Sequence, residues 1–413
     1  MVDVAPGDVA PGDVALRAVR LTISEGPDRG DASIVLLQAD GSVMAPFAPS
    51  DSRASTSQST SGAESDTAAT HHDPSLMPES DDDDAFGSES PLYAAVRWLQ
   101  YIGLLTVIGC TAFGTLVIGS MVRSHPVDAG FVRDARIRAT RIALSGVMLV
   151  MLSAGLRLVA QLYAMHGTTA AFTWTNVASM LRDTSWGTGW LLQIMAVILT
   201  GVGVAMAARQ SRRAPADPDL ARRAPWPWWG WSVATLGAVA LAFTPGLASH
   251  AASAPRFSVL AMVADGLHVL GAGGWLGSLS VVVLAGIPAA WVLPEDSRGR
   301  AVADLVNAFS PTALVFAGIV ATTGVFAAWL HVGSVSALWM TTYGRILLAK
   351  LAVVSLVAGT GGYNWLRVKP ALGTALVAPR IRRTASMEVL IGLIVLIITA
   401  VLVATPAGAD LQM

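Results

Sequence analysis

Asp265 and His268 stand three residues apart inside a long apolar run, Arg256–Trp291, which reads RFSVLAMVADGLHVLGAGGWLGSLSVVVLAGIPAAW. On a helix that spacing puts a carboxylate and an imidazole on one face, and Met262 and Trp275 extend the same stripe. A helix that begins near Phe257 reaches His268 after about 11 residues. At roughly 1.5 Å per residue that is about 16 Å, near the middle of a roughly 30 Å hydrocarbon layer. Ionisable groups at that depth are costly and face a cavity, a partner or a ligand. Imidazole binds copper, zinc or haem iron, and a nearby carboxylate fixes the tautomer of a ligating histidine. Asp265 is equally suited to carry a proton or to pair with a polar neighbour.

The other candidates gather toward one side. Of seven histidines, His71 and His72 lie in the N-terminal tail and His125 in a loop, which leaves His166, His250, His268 and His331. His166 sits just past the second apolar segment, His250 just past the fourth, and His331 at the end of the sixth. Thioether sulfur is a soft ligand that suits Cu(I), and Met165, Met262 and Met340 fall on or near the same half. Each of these residues also has an ordinary reading, as an interfacial histidine or a packing methionine. Arg157 and Lys350 lie near the outer ends of their segments, from where a long side chain can snorkel to water. Glu388 can pair with the Arg380–Arg383 cluster, and the lone cysteine, Cys110, reads as a packing residue. The sequence holds no Walker A motif, no Gly-x-Ser-x-Gly elbow and no His-Glu-x-x-His, so no hydrolytic or phosphoryl-transfer activity is expected.

These residues need helices to position them. The chain has 413 residues, 53% hydrophobic and 13% charged, with its apolar residues in long runs. Its net charge of −1 implies no nucleic-acid partner. Eight apolar segments run roughly 92–122, 139–164, 189–208, 229–247, 257–291, 309–332, 346–366 and 386–405. Only helices satisfy the backbone of such runs in lipid, so the expected fold is all-α: a polytopic bundle of about eight transmembrane helices over 91–408. The fifth segment is long enough to be tilted or to kink near Pro288. Arginines and lysines crowd the connections after segments one, three and seven, so the odd connections face the cytoplasm and both termini lie outside. Residues 1–90 are rich in Ser, Thr, Ala and Asp and are expected to be largely disordered. Within them, 15–44 reads as two short strands with a turn at Asp40-Gly41. The N-terminus lacks an apolar core after basic residues, so no signal peptide is expected.

From about Asp304 to Val403 the chain resembles the copper-resistance protein D (CopD) family of bacterial inner-membrane proteins. The resemblance rests on TTYGRILLAKL, YNWLRVKP with Asn364, and RRTASMEVLIGLIVLIITAVL with Glu388. ASHAA around His250 and DGLHVLGAGGWLGSL from Asp265 to Leu279 resemble that family's histidine-containing helix and its Trp-Leu-Gly turn. The segment from Val19 to Met44 is similar to the closing strands of a periplasmic copper-binding (CopC-like) domain, without the N-terminal histidine that ligates copper there.

The resemblance implies copper uptake, transport or resistance at the bacterial plasma membrane, with lipid around the helices and a CopC-like chaperone as partner. On that reading copper is received at the outer face by His250, His331, His166, Met165 or Met340 and passes to Asp265 and His268. The alternatives are a membrane redox protein in which histidines ligate haem, and a non-transporting membrane partner or sensor.

Overall fold

The computed structural model describes residues 91–124, 127–170, 172–213, 229–247, 258–332, 334–363, 366 and 378–405. The N-terminal tail, the two strands expected over 15–44, and His250 lie outside them. The described residues hold helices and no strand. Eight of those helices are long and apolar enough to cross a membrane: α1 (Pro91–Ser124), α2 (Ala129–Gly167), α3 (Ser185–Arg213), α4 (Trp229–Leu247), α5 (Val259–Ala290), α6 (Glu295–Val332), α7 (Thr342–Tyr363) and α8 (Arg382–Ala404). Two short helices, Trp174–Asp183 and Ala337–Met340, lead into α3 and α7.

α1 and α5 form the centre. Of the apolar stretch, 78% of α1 and 67% of α5 is buried, against 6% of α6 and 11% of α7. The two central helices touch through glycine. A Cβ on Gly109 would run into the backbone of Gly277, and one on Gly277 into the carbonyl of Leu105. Close approach of this kind is how small residues drive helix packing in lipid, where the hydrophobic effect offers nothing. The next glycines of α5 repeat the device: a Cβ on Gly273 would sit 2.6 Å from the Ile108 side chain, and one on Gly274 would meet the Phe316 ring of α6. α5 therefore seats on α1 by one face and on α6 by another.

α5 is not a plain α-helix. Gly273–Gly277 and Val282–Gly286 are π turns, and α1 has one at Phe113–Val117. No break occurs at Pro288. That proline sits in the first turn of the short α-helical stretch Ile287–Ala290, directly after a π turn. A proline ring clashes with the carbonyl four residues back and cannot donate to it. The wider turn absorbs both problems and keeps the helix straight enough to cross. Trp275 lies inside the other π turn, where the 3.6-residue register that would align it with His268 is interrupted.

α2 and α6 are longer than their apolar segments, at 39 and 38 residues. At about 1.5 Å per residue each is nearly 60 Å long, about twice a hydrocarbon layer. The charged stretches 129–138 and 295–308, which read as loops in sequence, are their extensions. Arg138 pairs with Asp134 at 2.6 Å one turn away. Around these extensions lies a buried cluster that includes Phe113, Phe131, Trp231, Ile287 and Leu305. A second cluster, around Leu104, Ile108, Val150, Val197 and Leu241, fills the half toward the start of α1.

Candidate functional site

The hydroxyl of Thr323 on α6 lies 2.9 Å from His268 Nδ1 on α5. Thr323 has one hydroxyl proton, which it donates to the Ile319 carbonyl at 2.7 Å. With the proton so placed the oxygen accepts, and this assignment makes His268 Nδ1 the hydrogen-bearing nitrogen and leaves Nε2 its lone pair. His331 reaches the same state by another route. Its Nδ1 lies 2.8 Å from the Ala327 carbonyl, which can only accept, so Nδ1 donates there too. Both imidazoles are held by one nitrogen with the other free to accept a proton or a metal, the usual outer-shell arrangement of a ligating histidine.

The levels of these groups follow from the helical rise. Thr323 lies eight residues before His331 on α6, about 12 Å along the axis. On α7 the Tyr343 ring stacks on His331, with centroids 6.3 Å apart. Lys350 comes seven residues, or two turns, further along α7, about 10 Å from Tyr343 on the same side. Lys350 is thus level with Thr323 and His268. The electrostatics agree: Lys350 acts on both His268 and Asp265, and His331 acts on Asp265. Lys350 therefore lies within the field of the site rather than only snorkelling outward.

Asp265 is exposed, one turn nearer the start of α5 than His268, and so lies between the levels of His268 and His331. Met262 is a further turn out and half-buried. Gly246 of α4 backs both: a Cβ there would stand 3.6 Å from the Met262 carbonyl and 3.8 Å from Asp265 Cβ. The group holding His268 is Thr323 of the neighbouring helix, not Asp265 on its own helix. Thr323 escaped the sequence reading because a threonine in an apolar helix commonly bonds back to its own backbone, and here it does that as well.

The other expected ligands stand apart. His166 is near the end of α2, one turn beyond the buried Leu162, and its Nδ1 is buried without a partner. Met340 and Met165 are exposed, at 80% and 51%. Among the described residues no three of His, Cys, Asp and Glu converge closely enough to hold a metal ion. Asp265, His268 and His331 form a ladder along one side of α5 and α6 rather than a cage.

Two family models match separate parts of the chain. Residues 303–402 match "Copper resistance protein D", and residues 87–257 match "Copper resistance protein D-like, N-terminal domain". The chain belongs to the copper resistance protein D family. The second match brings α1–α4 into the family, a region that precedes the motifs on which the sequence resemblance rests. This family member is similar to the "Copper transport protein CutJ" of Bacillus subtilis (strain 168), at 24% identity over 66% of this chain and 47% of that protein. It is also similar to "Copper resistance protein D" of Pseudomonas syringae pv. tomato, at 28% identity over 70% of this chain and 85% of that protein. The match thus spans about half the length of the first relative. No solved structure matches.

Proposed function

We propose that the chain handles copper at the bacterial cytoplasmic membrane, receiving the ion on the outer side and passing it along the ladder to His268. The observation that supports this reading is the paired state of His268 and His331, each in hydrogen-bond contact through Nδ1, which leaves Nε2 available to a ligand. Conduction needs stations that bind well enough to admit an ion and weakly enough to release it. Single imidazoles about 12 Å apart, with the Asp265 carboxylate between their levels, meet that need better than a closed cage would. His250, His166, Met262 and Met340 serve the outer mouth in this scheme, with Met thioethers favouring Cu(I). Lys350 supplies the counter-charge to Asp265 while no copper ion is nearby.

The charged loops support an orientation with both termini outside. Arg123, Arg133, Arg136 and Arg138, then Arg209, Arg212 and Arg213, then Arg380, Arg382 and Arg383 all lie at one end of the bundle. The opposite end carries the ladder's mouth, where a periplasmic CopC-like chaperone would deliver. The tail over 1–90 lies on that side, with 15–44 as a remnant of such a domain. The reading needs no bond made or broken, so the chain acts as a permease and not as an enzyme.

Metal and cofactor content decides it. The purified full chain and its His268→Ala variant are analysed for copper and iron and by optical spectrum, and cells bearing each are assayed for copper accumulation. The expected result is copper that depends on His268, and accumulation lost in the variant at equal protein level. A Soret band that disappears in His268→Ala would overturn the permease reading in favour of haem redox chemistry. Unchanged accumulation in the variant would remove His268 from the path.

A further inference from the structure

The two halves of the bundle repeat each other. On α1, Arg97, Leu99, Gln100, Gly103 and Gly109 have the spacing of Asp265, Leu267, His268, Gly271 and Gly277 on α5. The glycines that meet at the α1–α5 contact, Gly109 and Gly277, are thus equivalent positions, which places them at the centre of the repeat. α3 and α7 begin alike. Thr184 accepts from Gly187 N at 2.9 Å and Thr341 from Gly344 N at 3.0 Å, each after a short helix. Counting on from those caps, Trp186 matches Tyr343 and Gln193 matches Lys350. His166 and His331 stand alike near the ends of α2 and α6.

The ladder of the second half therefore has a counterpart between α1, α2 and α3. There Arg157 of α2 donates to Gln100 Oε1 of α1 at 3.1 Å, as His268 of α5 donates to Thr323 of α6. Arg157 also reaches Gln193 Oε1 at 3.4 Å, and its guanidinium lies 5.9 Å from the Trp186 ring. The chemistry differs, with a guanidinium and two neutral amides in place of a carboxylate, an imidazole and an ammonium. Gln100, Gln193 and Arg157 are 3%, 2% and 9% exposed. Arg157 forms no ion pair with a carboxylate among the described residues. With both amide oxygens turned to Arg157, the Nε2 groups of Gln100 and Gln193 are buried without partners. Flipping the amides is no remedy, because it would set N–H groups against the guanidinium. A buried charge without a counter-charge and two buried donors without acceptors are each costly.

We infer that Arg157, Gln100 and Gln193 form a binding site for a small inorganic anion of the halide class, the repeat-related counterpart of the Asp265–His268 site. One anion supplies the missing charge to Arg157 and accepts from both amide groups. The enclosure of the two glutamines selects a compact ion over a lipid headgroup, and the charge of Arg157, with Arg97 one turn before Gln100 on α1 and its Nη1 also buried without a partner, selects an anion. The site stands independently of what His268 binds.

The test uses the full chain in nanodiscs of zwitterionic lipid, in sodium chloride or in sodium gluconate at equal ionic strength, for wild type and Gln100→Glu. The glutamate is nearly isosteric and brings a tethered carboxylate to Arg157. Chloride should raise the wild-type Tm by about 3 °C or more over gluconate, as expected for a ligand bound only by the folded state. Gln100→Glu should show no chloride effect and should already match the chloride-bound wild type in gluconate. Gln193→Glu serves as the second variant if the first fails to fold. Equal wild-type Tm in both salts overturns the proposal, and so does a chloride effect that survives in the glutamate variants. Stabilisation by anionic lipid alone would assign the cluster to a headgroup and also overturn it.

Discussion

Replacing Thr323 with valine removes one hydroxyl and keeps the shape of the side chain. In wild type that hydroxyl passes its proton to the Ile319 carbonyl and accepts from His268 Nδ1 at 2.9 Å. Valine leaves Nδ1–H without an acceptor, and the imidazole is then free to turn or to move its proton to Nε2, the atom that must stay bare to bind copper. A hydrogen bond of this kind contributes about 0.5–1.5 kcal/mol net. At about 1.4 kcal/mol per decade, copper affinity should fall roughly 2- to 12-fold. The lower edge of the range found when outer-shell partners of ligating histidines are removed is about tenfold. The assay is an anaerobic Cu(I) titration of purified protein against a competing chelator, for wild type, Thr323→Val, Thr323→Ser and His268→Ala. Serine keeps the hydroxyl and should bind as wild type does. If Thr323→Val binds copper as wild type does while His268→Ala loses it, the tautomer argument is refuted although the ligand stands. If all four bind alike, His268 is no ligand.

Three further outcomes follow from the same geometry. Lys350→Met removes a positive charge level with His268 and should tighten Cu(I) binding by about tenfold in that titration, the order expected for one unit charge roughly 10 Å away at an effective dielectric near 20; unchanged or weaker binding would place Lys350 outside the site's field. His331→Ala should slow copper loading in stopped-flow measurements and leave the copper bound at equilibrium unchanged, since it is the outer station; a lost equilibrium site would make it a co-ligand of His268. Gly109→Ala drives a methyl group into the Gly277 backbone and should destabilise the bundle by about 1–3 kcal/mol, read as a lower Tm by scanning fluorimetry, whereas Gly155→Ala, with nothing within 4 Å of the added carbon, should leave the Tm unchanged or slightly raised.

The eight spanning helices were legible because lipid leaves an apolar run of about 20 residues one way to satisfy its backbone. Where that constraint ends, so did the reading. The arginine-rich start of α2 and the acidic start of α6 leave the apolar register but remain helical, since a helix already nucleated in lipid extends into water at little cost. The π turns were hidden for a different reason. Gly273, Gly274 and Gly277 of one such turn lie against Ile108, Phe316 and Leu105 of other helices, and nothing in the local 3.6-residue pattern records such a meeting. Asp265 and His268 were legible because their residue types are rare and expensive at that depth. Thr323 was not, because it bonds equally well to its own helix.

Arg157 marks where residue type misleads. Its place near the end of α2 suggested a cation snorkelling to water, which holds only while the way out is open. Trp186, at the start of α3, lies against the guanidinium, and Gln100 and Gln193, 57 and 36 residues distant in sequence, turn their carbonyl oxygens to it. Neutral amides can orient a cation but cannot cancel its charge, so the partners that bury Arg157 also leave it uncompensated. Of the matching positions in the second half, Asp265 reverses the charge of Arg97, His268 replaces Gln100, and Lys350 replaces Gln193. On the two proposals made above, the first half of the bundle would hold an anion at Arg157 and the second a cation at His268. If both fill, the pair adds no net charge to the low-dielectric interior, a condition that lone copper binding at His268 would not meet.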